Sequence, residues 1–119
     1  MAARKKKADE LGRGPVDPEF ARVVAAFAKD RKVTYGGRGF GSSALKVGGK
    51  IFAMLASKGE FVVKLPKERV DELVRLGTGE RFDPGHGRLM TEWVVLGGAT
   101  ELWVQAAQEA RRFVGRKNA

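Results

Sequence analysis

The sequence predicts an α+β fold, a two-layer sandwich in which an antiparallel sheet of about five or six strands is backed by helices. The predicted order of elements is α-β-β-β-β-α-β-β-α. Three observations favour it: apolar segments between Leu45 and Leu65 separated by glycine-containing turns, a helical repeat of apolar residues before them, and an alanine-rich helical stripe near the C-terminus.

The first helix is expected to begin at Asp17-Pro18. Asp17 can accept hydrogen bonds from free backbone N–H groups, and proline suits the first helical position. The apolar stripe follows at positions i, i+3, i+4 and i+7 with Phe20, Val23, Val24 and Phe27. Three basic residues are expected to close the helix in agreement with its dipole, namely Lys29, Arg31 and Lys32.

A short strand is predicted at residues 33–35 and a glycine-rich connection at residues 36–43. Three meander strands follow, with turns at Gly48-Gly49 and Lys58-Gly59. Glycine is expected there because two-residue hairpin turns require positive φ, which other residues adopt only at a steric cost.

Alternation assigns the faces of the meander strands. In the middle strand, residues 51, 53 and 55 are expected on one face and residues 52, 54 and 56 on the other, and all of them are apolar. That strand should therefore be covered on both sides. In the next strand, Phe61, Val63 and Leu65 alternate with Val62 and Lys64, which predicts one half-exposed face.

Pro66 is expected to open a second helix that buries Val70, Leu73 and Val74 and ends at Gly77. A short strand is predicted around Arg81-Phe82, and the last strand at Thr91 to Leu96. Thr100 can cap a final helix, and Gly115 is expected to end it. The stripe of that helix consists of Trp103, Ala106, Ala107, Ala110, Phe113 and Val114.

The formal net charge is +9, with 23 basic and 14 acidic residues, which favours polyanionic partners. No apolar run approaches the roughly 20 residues of a membrane-spanning helix, so no membrane association is expected. The lack of cysteine excludes disulfides and cysteine-ligated metal, and a cytoplasmic location is the default expectation. Residues 1–15 are expected to form a disordered basic arm, residues 16–115 a single domain, and residues 116–119 a frayed end.

Several motifs resemble the MmcQ/YjbR family and the related N-terminal domain of TfoX/Sxy competence regulators. They are Tyr35-Gly36-Gly37, the Gly-Gly pair and Gly-Lys-x-Phe-Ala strand within residues 46–53, the segment 61–66 before a helix, a loop with Arg81-Phe82-Asp83-Pro84, and a strand with Trp93. The resemblance covers residues 18–114. It implies a YjbR-like domain similar in shape to secretion chaperones and frataxin, and members are often described as DNA-binding.

Motifs for other chemistry do not meet their requirements. Gly49-Lys50 is followed by Ile51 instead of serine or threonine, so it is not a P-loop, and the glycine-rich loop at residues 36–43 leads into a strand. His86 is the single histidine, and no carboxylate pair suggests acid–base work. No catalytic residue, cofactor or metal site is therefore predicted, and an enzyme is the third hypothesis.

The first functional hypothesis is a nucleic-acid-binding domain, with DNA as the partner, that acts mainly through phosphate contacts. Lys46 and Lys50 flank the Gly-Gly hairpin, which would resemble a wing. The predicted contact residues are Arg38, Lys46, Lys50, Lys64 and Arg88. A second basic cluster lies in the last helix at Arg111, Arg112, Arg116 and Lys117. Scattered surface charge is the alternative interpretation.

The second hypothesis is a protein-binding or self-associating module with no nucleic-acid role, by analogy with secretion chaperones. It depends on apolar side chains that one small core would not accommodate. The candidates are Phe40, Leu45, Leu89, Met90 and Trp93.

Overall fold

The structure, a computed structural model, describes residues 17–36, 44–56, 59–83, 90–97 and 100–117, without the side chains of residues 100 and 117. The predicted arm at residues 1–15 lies outside these ranges. Within them the chain forms α1 (Pro18–Ala25), β1 (Val33–Tyr35), β2 (Ala44–Val47), β3 (Lys50–Leu55), β4 (Phe61–Lys64), α2 (Lys67–Arg75), β5 (Gly79–Arg81), β6 (Trp93–Leu96) and α3 (Thr100–Lys117). The predicted α+β class and order of elements are confirmed.

The six strands form one antiparallel sheet in the order β1-β2-β3-β4-β6-β5. The meander predicted from the glycine turns is confirmed, and β3 and β4 lie at the centre. Buried side chains from one face of the sheet and from all three helices belong to a single hydrophobic cluster. Within the described ranges, no helix is both long and apolar enough to span a membrane.

The β2–β3 hairpin turns at Gly48 and Gly49, whose φ angles are +60° and +81°. Two consecutive positive φ values are the signature of the type I′ turn, whose twist matches that of the flanking strands. Val47 therefore lies opposite Lys50, as the sequence predicts. In the β3–β4 turn Gly59 has φ +82°, whereas Lys58 lies outside the described residues.

A bulge in the β2–β3 pair corrects the predicted faces of β3. Leu45 pairs with Ala53 and Lys46 pairs with Ile51, so Phe52 has no partner on β2. The extra residue lets Phe52 and Ala53 both enter the helix-side core, although strict alternation would separate them. The predicted assignment of these two side chains to opposite faces is therefore wrong.

Val62 corrects the prediction for β4. Its side chain is fully buried even though it lies on the face opposite Phe61 and Val63, which belong to the helix-side core. Val62 is paired with Met54 on one side and Val95 on the other, and both of these are half-buried. Because β4 is an interior strand with apolar neighbours on both sides, only Lys64 of this face is half-exposed.

Helix α1 begins as predicted but ends earlier. Asp17 Oδ1 accepts hydrogen bonds from the N–H groups of Glu19 and Phe20, at 2.8 and 3.1 Å. The helix ends at Ala25, and turns at residues 26–32 lead into β1. Asp30 Oδ1 accepts the Lys32 N–H at 3.0 Å, which stabilises the turn, so the basic residues there belong to a loop and not to the last helical turn.

The other two helices bury most of the residues that their patterns predict, although Val74 of α2 is only half-buried. Helix α2 starts after Pro66 and ends in a Schellman motif, in which Gly77 N–H bonds Val74 C=O and Thr78 N–H bonds Leu73 C=O. The aromatic and alanine stripe of α3 lies on the sheet, and only its Phe113 is half-exposed. The side chain of Thr100, the predicted cap, lies outside the described residues.

Gly115 does not end α3, contrary to the prediction. It lacks the positive φ of a cap, and the helix continues to Lys117. A methyl group at this position would come within 2.6 Å of Arg111 Nη1 and 3.7 Å of Val47 Cγ2. The distance to Val47 is an ordinary van der Waals contact, so the glycine chiefly leaves room for the Arg111 guanidinium.

The hairpin geometry predicts unequal effects of two Gly→Ala substitutions. Gly49→Ala should lower the free energy of unfolding by about 1 kcal/mol, because its φ of +81° is strained for a residue with a Cβ although the space around it is open. Gly97→Ala is the matched control, since it has neither a positive φ nor a neighbour within 4 Å of its Cβ. Urea unfolding measures both, and equal effects would contradict the turn assignment.

Candidate nucleic-acid interface

The predicted phosphate-contacting residues divide into two groups. Lys46, Lys50 and Lys64 are described, whereas Arg38 and Arg88 lie outside the described residues. Lys50 is exposed at the tip of the β2–β3 hairpin, and Lys46 and Lys64 are half-buried on the sheet. The structure therefore bears on three of the five predicted positions.

Lys46 and Lys64 lie on the same face of the sheet, the one opposite the helices. Their strand neighbours Val47 and Val63 belong to the helix-side core, so alternation directs the two lysines to the other face. The register places them at nearly the same level along the strands, on β2 and β4. Two strand spacings separate their backbones by about 10 Å. Lys50, paired with Val47, lies at the turn.

Lys64 differs from the other two lysines in having local partners. Its Nζ lies 3.9 Å from Glu92 Oε1 and 5.6 Å from the centroid of the Trp93 ring. The carboxylate and the ring face therefore both stabilise the ammonium group where it is. Lys46 and Lys50 make no ion pair within the described part of the chain. The charges of Lys46 and Lys50 are therefore more available to an external anion than the charge of Lys64 is.

Two further cations, expected in the last turn of a helix, instead lie at the same end of the sheet as this hairpin. Val33 pairs with Val47 across β1 and β2, so the turn that ends at Val33 lies at the same end of the sheet as the Gly48-Gly49 turn; the Val33 N–H closes it by bonding the Asp30 C=O at 3.1 Å. The two cations of this turn are Arg31 and Lys32, and both are exposed. We call the surface formed by Arg31, Lys32, Lys46 and Lys50 the hairpin end. The sequence could have indicated this surface if residues 33–35 had been paired antiparallel with β2, the strand after the glycine-rich loop.

A carboxylate at the hairpin end already has a partner. Arg111 Nε donates to Asp30 Oδ2 at 2.8 Å, and its Nη2 lies 3.4 Å from Asp30 Oδ1. The hydrogen bond from Arg111 holds the pKa of Asp30 below its usual value, against the opposing effect of burial. Asp30 is thus bonded to an arginine of α3, whereas neither Arg31 nor Lys32 makes an ion pair within the described residues.

On α2 and its neighbours, by contrast, opposite charges are matched. Asp71 is bonded by Lys67 at 2.8 Å and also by Arg81, and the hydrogen bond from Lys67 is the main cause of its lowered pKa. Arg69 contacts Glu72 and Glu109. Ion pairs within α2, at spacings i,i+3 and i,i+4, thus gain further partners from β5 and α3. Positive charge is therefore less balanced at the hairpin end than here.

Of the apolar residues considered for protein binding, the three that the structure describes do not lie on an exposed surface. Leu45 is buried in the core, and Met90 and Trp93 are half-buried. Phe40 and Leu89 lie outside the described residues. Leu76, at 60% exposure, is the single exposed large apolar side chain among the described residues. One isolated leucine is ordinary for a protein surface.

His86 and most of the glycine-rich loop also lie outside the described residues. Comparison with known protein families, curated proteins and solved structures finds no match. The resemblance to the MmcQ/YjbR family therefore stays a prediction.

The Asp30–Arg111 contact predicts a pH-dependent contribution to stability. Because the folded pKa of Asp30 is lowered, its contribution is fully present above the unfolded pKa and is lost as the pH falls through the folded pKa. Asp30→Asn should lower the free energy of unfolding at pH 7 by about 0.5–1 kcal/mol, as expected for an ion pair that water reaches. Asparagine retains an acceptor for the Lys32 N–H.

Urea unfolding between pH 7 and about pH 2.5 measures this difference, which should shrink steadily below the unfolded pKa of about 3.9. Glu60→Gln is the control, because it removes the same charge from an exposed carboxylate outside the ion pairs described above. A difference that stays constant down to the lowest pH would contradict the role of the Asp30 charge.

Proposed function

We propose that this chain binds nucleic acid, mainly through backbone phosphates, at the hairpin end. The observation that supports the proposal is the pairing of β1 with β2, which brings Arg31 and Lys32 to the same end of the sheet as the lysine-flanked hairpin. Four cations from two chain segments then lie at one end of the sheet, and the Asp30 carboxylate near them is occupied by Arg111. Neutralising phosphates releases counterions, which favours binding to any polyanion of this kind.

These side chains are suited to contacts with phosphates and not to recognition of base edges. Arg31, Lys32 and Lys50 are exposed, and lysine offers a mobile point charge instead of a fixed planar fork. Such contacts position a duplex and carry no sequence information. The proposed binding is therefore largely sequence-nonspecific, and the proposed activity is binding without catalysis.

We further propose that the domain is of the MmcQ/YjbR type, with the secretion-chaperone-like arrangement of sheet and helices that the family implies. Three features of the chain support this: the Gly-Gly turn, the Lys-x-Phe-Ala segment on β3, and Pro66 directly before α2. In this arrangement the β2–β3 hairpin is the element that reaches the phosphates.

Salt-dependent binding to a labelled DNA duplex tests the function. The affinity should fall steeply as salt rises from about 50 to 200 mM. Arg31→Gln/Lys32→Gln and Lys46→Gln/Lys50→Gln should each weaken binding and reduce the slope of log K against log salt by about 0.9 for every phosphate that the variant no longer neutralises. Asp30→Asn should strengthen binding, because it removes a negative charge and releases Arg111.

The control is Arg22→Gln/Arg75→Gln, which removes the same charge from exposed positions on α1 and α2. All variants are compared with residues 4–7 changed to glutamine as well, so that the basic N-terminal segment does not mask the effect. Equal losses of affinity in the control and hairpin variants would show that the binding depends only on overall charge. No binding at low salt, together with a stable dimer in sedimentation, would instead favour the protein-binding hypothesis.

A further inference from the structure

A groove separate from the hairpin end runs between the start of α2 and the last turns of α3. Its volume is about 570 Å³, within the range of about 300–1,000 Å³ that is usual for small-molecule sites. Leu65, Pro66 and Phe113 form its apolar part, and charged side chains of both helices complete its lining. The apolar part and the charged part of this lining would each bind a different chemical group of a ligand.

Part of the charge in the groove is already neutralised within the protein. Arg69 donates from Nε and Nη2 to the two carboxylate oxygens of Glu109, at 3.0 and 3.1 Å. Its Nη1 also donates to Glu72 Oε1 at 2.6 Å. These carboxylates raise the pKa of Arg69, with Glu109 as the larger influence. Arg69 and Glu109 therefore form a fixed wall with little net charge.

The other two arginines of the groove are not balanced in this way. Arg112 and Arg116 are exposed, and neither makes an ion pair within the described part of the chain. They lie four residues apart on α3, about 6 Å along the helix axis, so both guanidinium groups can reach one anionic group. Guanidinium groups bind phosphate through paired hydrogen bonds, which fixes the orientation of the anion.

Because part of the groove is apolar, a simple anion is not the ligand that fits it best. Leu65 is fully buried, and Pro66 and Phe113 are half-buried beside the arginines. An inorganic phosphate would use the guanidinium groups and leave the accessible surfaces of Pro66 and Phe113 uncovered. A ligand that carries a phosphate and a flat, largely apolar ring would cover both parts, since bases stack on apolar and aromatic surfaces without demanding a particular sequence.

We propose that this groove binds a nucleotide, with its phosphate on Arg112 and Arg116 and its base on Pro66 and Phe113. The nucleotide can be free in solution or can be the phosphorylated end of a strand. The second source rests on the proposed nucleic-acid function, and the first does not.

Titration of the ¹⁵N-labelled full chain with adenosine 5′-monophosphate tests the site. The expected result is a saturable shift of the backbone amide signals of residues 67–69 and 112–116. Adenosine alone and inorganic phosphate alone should each bind at least about tenfold more weakly, because each covers one part of the groove. Equal affinity for phosphate and nucleotide, or no saturable shift with the nucleotide, would overturn the proposal.

Arg112→Gln/Arg116→Gln should weaken nucleotide binding by about tenfold or more, because charged hydrogen bonds to the phosphate are removed. The charge-matched control Arg22→Gln/Arg75→Gln should leave it unchanged. Arg112 and Arg116 are exposed, so the thermal midpoint of the double variant should stay near that of the wild type, which distinguishes weaker binding from impaired folding. An equal loss of affinity in both double variants would also overturn the proposal.

A 5′-phosphorylated oligonucleotide and its unphosphorylated form distinguish the two sources. If the phosphorylated strand displaces the nucleotide and the unphosphorylated strand does not, the groove binds a strand end. If neither strand displaces the nucleotide, the ligand is a free nucleotide. Lys46→Gln/Lys50→Gln should weaken duplex binding and leave nucleotide binding unchanged. Nucleotide binding without duplex binding would therefore sink the proposed function alone, and duplex binding without nucleotide binding would sink the groove alone.

Discussion

The contact of Phe61 with Trp103 and Phe20 joins the sheet to two helices, and both candidate surfaces depend on it. The ring of Phe61 on β4 stacks on Trp103 of α3, with centroids 4.5 Å apart and planes 9° apart, and lies 6.0 Å from Phe20 of α1. Large aromatic rings such as these contribute most to the stability of a fold where they are fully removed from water. Because they fix α1 and α3 against the central strand, they also fix where the turns after α1 and the last turns of α3 lie.

Both surfaces then follow from the way α3 crosses the sheet. Its buried alanines allow close approach to the strands, and Arg111 on one side of the helix bonds Asp30 in the turns before β1. Arg112 and Arg116, on another side, line the groove beside Pro66. Consecutive residues of one helix thus serve different neighbours, since 3.6 residues per turn send positions 111 and 112 in directions about 100° apart.

The sequence predicts the elements well because each has a local cause. The Gly48-Gly49 turn, the Asp17 cap and the apolar stripes depend on nearest neighbours along the chain, and all three are present. One error has a non-local cause, because the bulge beside Phe52 depends on the register with β2. The other concerns Gly115, which lies within α3 and leaves room for the Arg111 guanidinium instead of ending the helix. The candidate site was predictable only in part, because strand pairing and not sequence spacing brings Arg31 and Lys32 to the same end of the sheet as Lys50.

A net charge of +9 says little about where an anion would bind until the ion pairs are subtracted. Carboxylates hold Arg69, Arg81 and Arg111, and these cations stabilise the fold instead of attracting a partner. The cations left over differ in setting: lysines dominate the hairpin end, which is open, whereas arginines stand over an apolar groove. Mobile ammonium groups on an open surface suit a long polyanion met in many orientations, while planar guanidinium groups beside an apolar floor suit one small ligand held in one orientation.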